Sequence, residues 1–149
     1  MSKAFTSEEA PDPGPVVRAP PRLAPGEVRY VTPEGMAALR RELAALRPGD
    51  ARGPLLERTI ASLTVLGPES LAEGTAGFGA WVTVEDEQQA RRTWRIVGPD
   101  EADPRRGLVS AHSPVGLALV GHAVGDEVEV RLPGGEAVYR IVEVRKRSP

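Results

Sequence analysis

The spacing of apolar residues changes once along this chain, and that change decides what it can fold into. Before Gly67-Pro68 the apolar positions recur at helical spacing; from Phe78 onward they alternate. Met36, Leu39, Leu43 and Leu46 follow one another at three, four and three residues, which puts them on one stripe of a helix, with Arg40, Arg41 and Glu42 mostly off it. Thr32 is placed to cap that helix, Pro33 suits its first position and Glu34 meets the positive end of the dipole. Pro48-Gly49 ends it. Pro54 then opens a second helix carrying Leu56, Ile60 and Leu63, closed by Gly67-Pro68. Two short amphipathic helices joined by a tight turn predict an antiparallel helical hairpin with arms of roughly 15 to 20 Å. Helices this short are marginal alone, so their stripes must pack on each other or on the next domain.

After the switch, Ala80, Val82 and Val84 alternate with Trp81, Thr83 and Glu85, and a polar turn at 86–89 leads into a pairing strand, Arg92 to Val97. A loop from Gly98 to Gly107 precedes a short strand, Leu108 to Ala111. Ser113 caps a helix with Pro114 in its first position; Leu117, Ala118 and Val120 supply its apolar surface and Gly121 ends it. Gly125-Asp126 and Pro133-Gly134-Gly135 are turns flanking two further strands. The expected fold is α+β: a short helical hairpin over 30–67, then an antiparallel sheet with one covering helix over 76–146. Residues 1–29 hold Pro11, Pro13, Pro15, Pro20, Pro21 and Pro25 and too few apolar residues for a core. They are read as a disordered tether, with a polyproline-type ligand as the alternative.

Composition removes several functions. The 149-residue chain has no cysteine, hence no disulfide, thiolate metal site or cysteine nucleophile. Aromatic residues are 4% of the chain, so an aromatic-lined ligand pocket is not expected. No apolar signal region or membrane-length stretch is visible, and a soluble protein of the reducing cytoplasm, without membrane contact, is expected. A formal net charge of -2 gives no overall basic field for binding a nucleic-acid duplex. Contact with nucleic acid is expected only locally, within a complex arranged by a partner. No cofactor is expected. His122 has no metal-ligand spacing with His112, which leaves no zinc site.

Several short motifs, in order, resemble a known family. Val31-Thr32-Pro33-Glu34-Gly35-Met36 with Leu39, Leu43 and Leu46 is similar to the start of the coiled coil of the GreA/GreB transcription elongation factors. Phe78-Gly79-Ala80-Trp81-Val82, Arg95-Ile96-Val97-Gly98, Asp100-Glu101-Ala102-Asp103-Pro104, Ser113-Pro114, Val124-Gly125-Asp126-Glu127-Val128, Pro133-Gly134-Gly135-Glu136 and Tyr139 with Ile141-Val142-Glu143-Val144 resemble the C-terminal domain of the same family. The resemblance covers nearly all of 30–145 and leans toward GreB. It implies an FKBP-like fold for the C-terminal domain and docking on bacterial RNA polymerase, at the rim of its secondary channel.

The family's arm carries two carboxylates at its tip that help to hold a magnesium ion for cleavage of backtracked RNA, chemistry that suits a hard cation and an activated water. Here the tip reads Arg47-Pro48-Gly49-Asp50-Ala51-Arg52, and Asp50 has no acidic neighbour. Asp50 is either a lone magnesium ligand or a turn residue bonding nearby amides, and the turn reading is favoured because Arg47 and Arg52 oppose a cation. The arm is also too short, given the ~2.1 Å a magnesium ligand requires. The expectation is therefore a regulator that is not an enzyme and does not stimulate cleavage. Residual cleavage through Asp50 and prolyl isomerase activity are the alternatives, the second on fold alone. Arg40, Arg41, Arg47, Arg52 and Arg58 read as a contact surface for RNA or polymerase, or as a solvated face. By resemblance, docking falls to the loop entering the covering helix, with His112, Ser113, Pro114 and Leu117. Family members commonly carry Asp or Asn where His112 stands, a departure that weakens docking, makes it pH-sensitive, or marks a plain loop residue. Leu117 is a contact or a core residue.

Overall fold

A computed structural model describes residues 28–149; the expected arm falls, up to residue 27, outside them. The chain order is β1 (Arg29–Val31), α1 (Pro33–Ala45), α2 (Arg52–Ser62), β2 (Leu63–Val65), β3 (Trp81–Glu85), β4 (Arg91–Val97), a 3-10 turn (Pro104–Arg106), β5 (Leu108–Ser110), α3 (Pro114–Leu119), β6 (Glu127–Leu132) and β7 (Gly135–Arg145). This is a mixed α+β fold.

The helical hairpin forms for the reasons its sequence contains. The Thr32 hydroxyl accepts the N–H of Gly35 at 3.0 Å, and Pro33 occupies the first turn. After α1 the chain turns through Gly49, whose φ of 85° is one that only glycine adopts freely. Asp50 then accepts the N–H of Arg52 at 2.9 Å, starting α2. The apolar stripe residues Leu39, Leu43, Leu46, Leu56 and Ile60 are all only half-buried; α1 buries Gly35 and Met36, and α2 buries nothing.

Two residues expected on this stripe are not helical: Leu46 caps α1 in extended backbone, and Leu63 lies past the end of α2. Leu63 belongs to β2, which pairs in parallel with β1 in the register Arg29↔Leu63, Tyr30↔Thr64 and Val31↔Val65. The β-branched pair Thr64-Val65 favours extended backbone, and a partner strand is at hand in Tyr30-Val31. The backbone of Leu66 extends the pairing, its N–H donating to the carbonyl of Val31 at 2.9 Å. The two ends of the helical hairpin are thus held side by side.

Five strands form the second sheet, in the order β5-β4-β3-β7-β6. β3–β4, β3–β7 and β6–β7 are antiparallel. The sequence predicts an antiparallel sheet, and the structure departs from it at one edge, where β5 runs parallel to β4. A same-direction neighbour needs a connection that carries the chain back along the strand. The 98–107 loop does so, with Asp103 capping its 3-10 turn and Gly107 at φ 73°. Alternation then does what the sequence implied. Val82 and Val84 face inward with Ile96, Val128, Val130, Tyr139 and Ile141, and Leu119 of α3 closes the cluster at 0% exposure. Each such enclosed aliphatic side chain stabilises by about 1.5–3 kcal/mol relative to exposure. Trp94 meets Tyr139 edge to face at 5.2 Å, at the margin of the same cluster.

Candidate functional site

The loop between β5 and α3 is built around one carbonyl. Ser110 O accepts the Ser113 N–H at 2.9 Å and the Ser113 hydroxyl at 2.6 Å, while Ser113 Oγ caps α3 by accepting the N–H of Gly116 at 3.1 Å. Gly116 has to be glycine here, because a Cβ would lie 2.1 Å from Ser110 O. His112 donates its backbone N–H to Ser110 Oγ at 3.1 Å and is itself exposed. Pro114 is also exposed. The loop is therefore stiff in its backbone and open in its side chains.

Leu117 resolves one of the two readings it had. It is 65% exposed, because Leu119 takes the inward position and a residue two places earlier points to roughly the opposite side of the helix. Val120 and Val124 are exposed as well, at 44% and 49%, so the helix and the turn after it present apolar side chains to solvent. Single exposed aliphatics are ordinary; three within eight residues beside a stiff polar loop are a candidate contact face. Val124 was missed in the sequence, where it reads as the lead-in to a turn. His122, by contrast, is tied to Asp126, its Nδ1 lying 3.3 Å from Oδ2.

The other candidate residues, Arg47, Asp50 and Arg52, come together at the turn of the helical hairpin. The Asp50 N–H donates to Arg47 O at 3.0 Å. The Asp50 carboxylate accepts from the Arg52 backbone N–H, from its Nε at 3.2 Å and from its Nη2 at 3.1 Å. Hydrogen bonding by the Arg52 side chain, followed by its backbone N–H, holds the Asp50 carboxyl below its ordinary range. These contacts describe a turn residue whose oxygens are already engaged by a cation. Among the described residues no group of three or more His, Asp or Glu is arranged to hold a metal. Arg40, Arg41, Arg47 and Arg58 are exposed on the helical hairpin.

Other sites are weaker candidates. A cleft of about 500 Å³ runs between α1 and the sheet domain, edged by Leu39, Arg41, Glu42, Trp81 and Arg106. No described helix is long and apolar enough to cross a membrane.

Comparison with known proteins identifies the fold's lineage. Residues 71–146 match the model of the C-terminal domain of the transcription elongation factors GreA and GreB. The chain belongs to the GreA/GreB family. It is 47% identical over 102 residues to transcription elongation factor GreB of Yersinia pestis, covering 68% of this chain and 60% of that protein. To GreB of Pseudomonas aeruginosa it is 35% identical, over 84% of this chain and 94% of the relative. It spans 58% of a GreA from Alkalilimnicola ehrlichii, so against several curated relatives it covers about three fifths of their length. Among solved structures, a GreA/GreB factor from Nitrosomonas europaea is 29% identical, covering 79% of this chain and 98% of that one at a TM-score of 0.45.

Proposed function

We propose that this protein is a regulator of transcription elongation that docks on bacterial RNA polymerase near the secondary channel and does not stimulate transcript cleavage. The docking face is the β5–α3 loop and helix, with His112, Ser113, Pro114 and Leu117 as contacts. The observation that carries this reading is the exposure of Leu117 beside a loop whose backbone is pinned by Ser110 and Ser113. A rigid edge with an open apolar side chain suits recognition of a fixed protein surface, since little ordering remains to be done on binding. In this reading the sheet curled over α3 is FKBP-like, the protein acts in the cytoplasm, and nucleic acid is met only inside the polymerase complex.

The hairpin turn supports the noncatalytic half. Its single carboxylate is taken up by Arg52, and its helices are roughly 20 and 17 Å long by residue count. The protein then acts by occupying the channel mouth and competing with longer family members. Prolyl isomerase activity finds no support in the described aromatic residues, which are divided among separate contacts: Tyr30 with Phe78, Trp94 with Tyr139, and Trp81 with Arg95.

Capture of core RNA polymerase by the purified protein tests the proposal. Leu117→Asp and Pro114→Ala are expected to weaken capture, the first by about tenfold or more, and His112→Asp to strengthen it. Unchanged capture by Leu117→Asp and Pro114→Ala together would remove this face. In backtracked complexes the protein is expected to leave RNA uncleaved; metal-dependent cleavage that disappears with Asp50→Ala would overturn the noncatalytic assignment.

A further inference from the structure

The base of the helical hairpin and the loop after β4 are joined by side chains reaching across 69 positions of sequence. Glu101, half-buried in that loop, accepts three hydrogen bonds. Its Oε2 takes the backbone N–H of Thr32 at 2.8 Å and that of Gly98 at 3.1 Å, and its Oε1 takes the Thr32 hydroxyl. The direction of the last bond follows from the cap of α1. The Thr32 oxygen already accepts from Gly35, so its own hydrogen is free to go to the carboxylate. Thr32 is fully enclosed, at 0% exposure.

Backbone contact is equally close. A Cβ on Gly98 would lie 2.2 Å from the carbonyl oxygen of Tyr30, and one on Gly35 would lie 2.1 Å from Glu101 Oε1. Gly98 therefore lets the two backbones touch directly at Tyr30, and Gly35 leaves room for the Glu101 carboxylate. Two ion pairs flank the contact. Arg29 makes a two-pronged bond to Asp100, with Nε to Oδ2 at 2.6 Å. Arg95, lying 5.1 Å from the centre of the Trp81 ring, donates to Gly79 O at 3.0 Å and to Glu34 at 2.9 Å. The Glu34 side chain is 66% exposed, which makes that pair the weaker of the two. Arg29 holds β1 rather than the helix. Glu101 accepts from both the backbone N–H and the hydroxyl of the residue that caps α1, and so acts directly on the direction of the helix.

We propose that Glu101 is the positioning residue that fixes the angle at which the helical hairpin leaves the sheet domain. Its bonds are charge-assisted, they close on both sides of the joint, and they are short of room for rearrangement. The consequence for transcription rests on the docking reading above: a domain held on polymerase by α3 would aim the hairpin through Glu101. The joint itself is a property of the free protein.

The absence of native cysteine allows a direct measurement. Ala51→Cys in the exposed hairpin turn and Glu129→Cys on the exposed side of β6 accept two spin labels, and the distance between them reports the angle. A single narrow distribution is expected for the otherwise wild-type protein and for Thr32→Ser, which keeps the hydroxyl. Glu101→Ala and Thr32→Val are expected to broaden or shift it, with Glu101→Gln between. Thermal melting identifies which variants remain folded; if Glu101→Ala does not fold, Glu101→Gln and Thr32→Val decide. An unaltered distribution in the folded variants overturns the proposal. In a second arm, Glu101→Gln is expected to keep capture of polymerase and to lose about tenfold in competition against a full-length family member; full retention of competition denies the joint its part in positioning. Should wild-type protein fail to bind polymerase, the docking reading falls while the distance measurement still judges the joint.

Discussion

In the sheet domain Val82, Val84, Ile96, Leu119, Val130 and Ile141 are wholly enclosed, whereas in the helical hairpin Leu39, Leu43, Leu46, Leu56 and Ile60 are only half-covered. Both regions use the same aliphatic residues, so the difference lies in what faces them. A strand inside the sheet has neighbours on two sides and α3 above, while beyond the first turn of α1 the two short helices have chiefly each other and solvent. Stability therefore resides in the sheet, and the hairpin depends on its base: Val31, Thr32, Gly35 and Met36, all buried, and their bonds to Glu101.

The largest expected effect tests this inequality at its strong end. Leu119→Ala should cost about 2–5 kcal/mol in denaturant unfolding, because it opens a hole under α3. Ile60→Ala should cost about 1 kcal/mol or less, in proportion to its partial burial. Equal losses would break the comparison. Next comes the base. Gly98→Ala forces a methyl group against Tyr30 O and should cost about 1–3 kcal/mol. Hydrogen exchange should then show the helices losing protection while β3, β4, β6 and β7 keep theirs. Loss of protection throughout would mean that the two regions unfold as one. The smallest effect is at the hairpin turn. Because Arg52 lowers the Asp50 carboxyl in the folded state, its stabilising contribution is present above the unfolded carboxyl's range and is lost as pH falls through the lowered value, beneath the ordinary carboxylate range. An NMR titration should place Asp50 below an ordinary aspartate, and Arg52→Ala should bring it back up. Melting temperature at neutral pH should scarcely move, since the pair is exposed.

Much of this was readable from residue order alone where contacts are local. The caps at Thr32 and Ser113, the helical spacing of Met36 to Leu46, the alternation around Val82 and Val84, and the glycine turns all depend on near neighbours. What was hidden depends on distant ones. Leu63 sits three residues after Ile60 and reads as one more helical position; only its alignment with Arg29 makes it a strand. The parallel pairing of β5 needs the whole path of the 98–107 loop. Glu101 stood inside a motif with no visible partner, because Thr32 lies far upstream. For the candidate docking loop, the family resemblance pointed to the region, but exposure separated Leu117 from Leu119.

The parallel pairing of β1 with β2 has a further consequence. Because Val31 and Val65 stand next to each other, everything between them is an excursion that departs from and returns to the same spot. Whole helical turns can be added to or removed from both limbs together without displacing either anchor, much as the length of a drawer can change while its frame stays put. Reach thereby becomes a quantity that evolution can adjust separately from attachment.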